Sequence, residues 1–161
     1  MLKPIVNDLK ILRHPCEEVI KNDDIREIIQ DLKDTLVKHS SAFGLSANQI
    51  GYNKRICYIR VPGLTKDKKI EFGEYVLINP KIENKERKIM YKGEGCVSFP
   101  GIYVTTDRYI FISVYYLDEN LKECTGLFQD LESFVVQHSI DHLNGLTIFD
   151  KKHKDINRRK K

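Results

Sequence analysis

The chain has 161 residues, the size of one ordinary domain, and its composition of 41% hydrophobic and 31% charged residues is that of a globular protein able to bury a core without covalent staples. No stretch approaches the run of about 18 apolar residues that a membrane helix requires, and Asp8 and Lys10 interrupt the N-terminal region before the apolar core of a secretory leader could form. The net charge of +4 comes largely from Lys151, Lys152, Lys154, Arg158, Arg159, Lys160 and Lys161. Residues 1–150 are therefore expected to form one near-neutral domain and residues 151–161 a basic tail, either solvated or resting weakly on an RNA-rich surface. Cys16, Cys57, Cys96 and Cys124 are scattered without C-x-x-C spacing. Reduced thiols are expected, in a cytoplasmic or organellar-matrix setting.

The first strong periodicity is Ile25, Ile28, Ile29, Leu32 and Leu36, which predicts an amphipathic helix over 24–39, with Asp24 as its cap and Glu27 three residues on. Ser40-Ser41-Ala42-Phe43-Gly44 ends it. Runs rich in β-branched and aromatic residues then predict strands over 55–61, 75–78 and 88–91. The run 102–117 reads as strand too, and Asp118-Glu119-Asn120 offers the turn of a hairpin with a strand over 123–128. A final helix is predicted over 130–143, with Leu131, Phe134, Val135, His138 and His142 along one core-facing side and Asn144-Gly145 as its stop. Helix, antiparallel strands, then helix, without β-α alternation, predicts an α+β fold with strands packed around the C-terminal helix.

Three segments carry candidate chemistry. His138 and His142 lie four residues apart, about 40° apart around a helix at ~100° per residue, so both imidazoles can reach one metal ion; two buried, hydrogen-bonded histidines would give the same pattern. Glu94-Gly95-Cys96-Val97-Ser98-Phe99-Pro100 presents a thiol in a glycine-containing segment closed by proline, where the alternative is a buried structural cysteine. Gly44-Leu45-Ser46-Ala47-Asn48-Gln49-Ile50-Gly51 brackets a glutamine with small residues, as a tight loop also would.

In this order and at these separations the segments resemble the peptide deformylases, whose patterns are GxGLAAxQ, EGCLS and QHExDH. Ile11-Leu12-Arg13-His14-Pro15 is similar to that family's opening, so the likeness spans most of the chain. It implies a metallohydrolase that removes the formyl group from N-terminal methionine of nascent polypeptides. It further implies one divalent ion, Fe(II) first, with Ni, Co or Zn as alternatives, held by Cys96, His138 and His142 with a position left open to water.

By the same resemblance the Gln49 amide and the Val97 backbone N–H would stabilise the oxyanion, and Glu94 and Arg108 would form an ion pair bracing the cysteine segment. Phe43, Gly44, Leu131, Phe134 and Val135 would line a methionine pocket, although Phe134 and Val135 also read as plain core and Glu94 with Arg108 as a surface pair. The ribosome is the implied partner, and a monomer without membrane attachment is expected. Ala42, Ser46 and Tyr103 depart from the family's usual glycine, alanine and arginine in ways that look tolerable.

Ser139 stands where the pattern has its glutamate, the group that takes a proton from metal-bound water and returns it to the leaving nitrogen. A serine hydroxyl is neither basic enough nor long enough, so a rate loss of roughly 10²- to 10⁴-fold is expected while the metal site survives. Asp141, about 60° from His138 on the other flank, is a conceivable substitute but reads more naturally as a supporting or solvated carboxylate. Three accounts stay open: a relative that binds formyl-methionyl ends without turnover, a substitution introduced to trap substrate, and compensation by another group. A structural zinc site closed by Cys16, Cys57 or Cys124 is a further alternative.

Overall fold

The structure is a computed structural model, and residues 1–154 are described. Two short elements precede the sheet: α1 (Leu9–Leu12) and α2 (Arg26–Leu36). Among the described residues the sheet has five strands, β1 (Gly44–Ser46), β2 (Ile56–Leu64), β3 (Ile70–Cys96), β4 (Phe99–Leu117) and β5 (Glu123–Gln129), and α3 (Asp130–Leu143) follows β5. Strand order is β1-β2-β3-β4-β5 with every pair antiparallel, an α+β meander as expected.

The strands 75–78 and 88–91 turn out to be parts of one long strand. Its first half pairs with β2, from Leu64↔Ile70 to Ile56↔Ile78, and its second half pairs with β4, from Ile78↔Leu117 to Cys96↔Phe99. Asn79 (φ 49°) and Arg87 (φ 60°) lie along it, and the register with β4 shifts between Ile78 and Lys81, Ile82 and Asn84, and Tyr91 and Glu94. Each shift inserts a residue and bends the strand, so the period-2 pattern is lost there and reads as a break.

Helix α2 starts two residues later than expected. Its N-cap position is Ile25, with no side-chain bond to the first turn, while Asp24 accepts from the Arg26 amide at 3.2 Å in front of it. The helix ends at Leu36, three residues short of His39, and Ser40 and Ser41 form the turn that follows. By contrast, the hairpin turn and α3 fall where the sequence places them. Asp118 Oδ1 accepts from the amides of Asn120 and Lys122, the self-bonding that favours aspartate in turns.

Two apolar clusters make the core. One joins α2 (Ile28, Ile29, Leu32, Leu36) to Leu45, Ile56, Tyr58 and Ile78. The other packs α3 (Val136, Ile140, Leu143) against Cys57, Ile59, Leu77, Val114 and Phe128. So α3 buries a different face from the predicted one: Leu131, Phe134, Val135 and His138 are only half-buried. They border a cavity, which the same apolar side chains satisfy as well as a core would.

The end of α3 is held by the N-terminal segment. The Cys16 amide donates to the Leu143 carbonyl at 2.9 Å and Arg55 reaches the same oxygen at 3.1 Å. Gly145 sits at φ 76°, and a Cβ there would lie 2.5 Å from the Arg13 carbonyl, so only glycine closes this corner.

Candidate metal centre

Three chain segments converge beside α3. Cys96 ends β3 at the two-residue turn Val97-Ser98, which puts its thiol at the head of the β3–β4 hairpin. His138 and His142 stand one turn apart on α3, with Nε2 atoms 3.2 Å from each other, and His142 Nε2 is 3.3 Å from Cys96 Sγ. The three candidate ligand atoms all lie within 4.8 Å of one another. One soft thiolate and two imidazoles at this spacing fit a first-row divalent ion, and they offer three ligands. Among the described residues no fourth Cys, His, Asp or Glu joins the cluster. Cys16 and Cys57 are buried in the α3 core, and Cys124 is on β5.

The tautomer of His138 is set from behind. Its Nδ1 is 3.0 Å from Glu94 Oε2, so Nδ1 keeps its proton and Nε2 is the nitrogen that would be freed to hold an ion. Glu94 is in turn gripped by Arg108 through two bonds, Nε to Oε1 at 2.8 Å and Nη2 to Oε2 at 2.6 Å, and by Thr106 Oγ1 at 3.0 Å. Arg108 also donates to Asp141 Oδ2 at 2.6 Å. Glu94 and Arg108 are 5% and 2% exposed, so this is a buried ionic chain and the surface-pair alternative is wrong.

Charge is arranged accordingly. Burial pushes the Glu94 carboxyl up, but Arg108 and His138 outweigh it and hold it at about 2. Burial likewise pushes the Cys96 thiol up, and His138 and His142 bring it down to about 5. His138, which burial would make less basic, is raised to about 10 by Cys96 and Glu94. Without a cation the pair is therefore a thiolate beside an imidazolium.

Gln49 is oriented by its own turn. The segment 47–50 is a 3₁₀ turn following β1, and Gln49 Oε1 accepts from the Ser46 amide at 3.0 Å. That leaves Nε2 as the end facing the site, 3.5 Å from Cys96 Sγ and 3.1 Å from Ser98 Oγ. Ser46 Oγ donates to the Ser139 carbonyl and Asn48 Nδ2 to the His142 carbonyl, at 2.8 and 2.7 Å, tying this turn to α3. Thr106 carried no chemical signal of its own in the sequence, whereas Asn48 and Ser98 stood within the glutamine and cysteine segments.

A cavity of about 940 Å³ opens over the cluster, and all five residues predicted for an apolar pocket line it, Phe43, Gly44, Leu131, Phe134 and Val135, along with Tyr91, whose ring is 4.6 Å from that of Phe134. Gln49, Val97 and Ser139 line it as well. Ser139 is 1% exposed, with Oγ against Gly44, where an added Cβ would meet it at 2.6 Å and Val135 Cγ1 at 2.9 Å. Asp141 does not line the cavity.

Residues 2–159 match the family model described as polypeptide deformylase. This chain belongs to that family. It is 37% identical over 149 residues to the peptide deformylase of Clostridium beijerinckii, covering 92% of this chain and all of the relative. It is also 35% identical over 144 residues to peptide deformylase 1 of Nostoc sp., covering 88% and 74%. The crystal structure of peptide deformylase from Ehrlichia chaffeensis superposes with a TM-score of 0.84 at 36% identity, covering 99% of this chain and 92% of that one. The α+β fold expected for the family is thus the fold observed.

Proposed function

We propose that this chain holds one divalent metal ion through Cys96, His138 and His142 and acts on formyl-methionyl N-termini of polypeptides, with deformylation strongly slowed by Ser139. The observation that carries the reading is the convergence of a thiol and two imidazoles on one point at the floor of an apolar cavity, with the Gln49 amide beside them. Thiolate and imidazole suit Fe(II), Ni, Co and Zn, and Fe(II) is the first choice by family resemblance. A bound ion would supply a Lewis acid and a water acidic enough to be hydroxide near neutral pH.

The chain's own residues do the rest. Gln49 Nε2 and the Val97 N–H stabilise charge developing on the formyl oxygen, together with the orientation that the Ser46–Gln49 bond fixes in advance. Phe43, Leu131, Phe134 and Val135 take the methionine side chain by apolar burial. Glu94, held by Arg108, keeps His138 in the ligating tautomer. The free edge of β1 beside the site suits an extended peptide. The setting that fits is a cytoplasm or organellar matrix where nascent chains leave the ribosome, with the protein a monomer; no described helix is long and apolar enough to cross a membrane.

Ser139 removes the base. Glu94 is the acidic side chain bordering the cavity, and it is already committed to Arg108 and His138. Asp141 is committed to Arg108 away from the cavity, so neither replaces the missing carboxylate. This favours a second reading beside the first: capture of formyl-methionyl ends with little or no turnover. Formate release is to be measured from a formyl-Met peptide with anaerobically Fe(II)-loaded protein and its Ser139→Glu variant, metal content being quantified. The variant should be about 10²- to 10⁴-fold faster. Absence of metal-dependent formate release from a metal-loaded variant would remove the catalytic reading, and absence of peptide binding by calorimetry would remove the second.

A further inference from the structure

The cavity is not lined by the metal cluster alone: Gly44 of β1, Phe43, Ala42 and Ser41 before it, and Lys38 and His39 just past the end of α2 border it as well, as does Lys3. The charges along this course are uneven. At the inner end Glu94, the bordering carboxylate among the described residues, is paired with Arg108, which Asp141 shares, and with His138. At the outer end Lys38, two residues past the end of α2, is exposed and pairs with no carboxylate among the described residues, whereas Lys33, within α2, reaches Glu119 at 3.3 Å. Lys3 is partly offset, its Nζ lying 3.7 Å from Asp31 Oδ2. Among the described residues no acidic side chain borders the cavity beside Lys38, so the outer end is cationic.

Strand direction says which part of a bound peptide meets that charge. β1 is an edge strand, paired only with β2, and it runs from Gly44 towards the turn that carries Gln49. A peptide whose N-terminus is at the cluster and which extends along β1 passes Gly44 and Phe43, beyond which the chain turns back through Ala42, whose amide bonds to the His39 carbonyl at 2.9 Å, towards Lys38. At about 3.3 Å per residue, side chains at roughly the third to fifth positions come alongside Lys38.

We infer that Lys38, with Lys3 and His39 around it, selects formyl-methionyl peptides carrying acidic residues at about the third to fifth positions. The inference rests on the proposed function and adds a sequence preference to it. Exposed charges act here through a screened field, so the preference is for one sign of charge and weakens with salt.

The test is calorimetric titration of the metal-loaded chain with three C-terminally amidated peptides, formyl-Met-Ala-Ser-Glu-Glu, formyl-Met-Ala-Ser-Gln-Gln and formyl-Met-Ala-Ser-Lys-Lys. At low salt the acidic peptide should bind about tenfold more tightly than the basic one, the ratio should shrink towards unity at 0.5 M salt as screening tightens, and Lys38→Glu should reverse the order. Equal binding of all three overturns the inference and leaves the proposed function standing; binding of none overturns both. A single-stranded RNA oligonucleotide is run as competitor against the neutral peptide. Its failure to displace that peptide supports a peptide-reading role, and displacement would assign the cationic end to nucleic acid and overturn the inference.

Discussion

Gln49 has two ends, and the fold gives each a separate task. Its oxygen is used by the Ser46 amide, so its NH₂ group is the end presented to the site, and a glutamate there would place an unbonded carboxylate oxygen against the Cys96 thiolate. Cys96 is set apart from the other buried thiols by the same local logic. Burial drives Cys16 up to about 11 and Cys57 up to about 12, with nothing nearby strong enough to reverse it. At Cys96 two imidazoles do reverse it, to about 5. At pH 7 Cys96 is therefore a thiolate and Cys16 and Cys57 are thiols, since a group is ionised above its pKa. Iodoacetamide should label Cys96 in metal-free protein while sparing Cys16 and Cys57, and stoichiometric Zn or Co should protect it. Peptide mapping by mass spectrometry reads both results; Cys96 labelling that ignores the metal would contradict its role as ligand.

The elements differ in how openly the sequence declared them. Helix α3 carries its start, its stop and both histidines in a local pattern, and the turn at 118–120 bonds to itself, so both were legible. The continuity of β3 was not, because it pairs with two different neighbours along its length and shifts register with β4 near Asn79, Asn84 and Tyr91. Strand β1 was hidden for the same reason: Gly44-Leu45-Ser46 has no strand pattern and is extended because β2 pairs with it. Nor could sequence place Asp141, whose partner Arg108 is 33 residues away on β4. That long-range bond joins α3 to the β3–β4 hairpin through Arg108 and Glu94. Arg108→Met would leave Glu94 buried without its cation, at a cost of about 3–5 kcal/mol in stability. It should also weaken metal binding about 10- to 100-fold, because the support for His138 is lost. Asp141→Asn keeps a polar partner for Arg108 and should cost less on both counts. Denaturant titration and competitive metal binding measure the two effects, and equal losses for the two variants would contradict the order Asp141, Arg108, Glu94, His138.

Over the whole molecule, the site exists only when three distant parts of the chain are in register: the turn at residue 49, the hairpin head at residue 96 and the helix at residues 138–142. The helix supplies two of the candidate ligands and the hairpin head the third, so an ion that takes all three binds the folded chain in preference to the unfolded one. Free metal at about 100 times its dissociation constant then adds about 2.7 kcal/mol to stability. Melting of the metal-loaded protein should accordingly fall on adding a chelator and recover on adding Zn or Co, while Cys96→Ser should show a much smaller response. Gly145→Ala gives the complementary case. Its Cβ would collide with the Arg13 carbonyl and its φ of 76° is strained for alanine, so the corner holding the end of α3 should loosen, at a cost of about 1–3 kcal/mol. A Cβ at Gly145 would meet Arg13 and Pro15 and none of the candidate ligand side chains, so this variant should melt lower both with and without metal and keep most of the metal-dependent increment. If Gly145→Ala lost that increment as Cys96→Ser does, metal binding and global folding would be one event, and the cluster would have to be assembled by the ion.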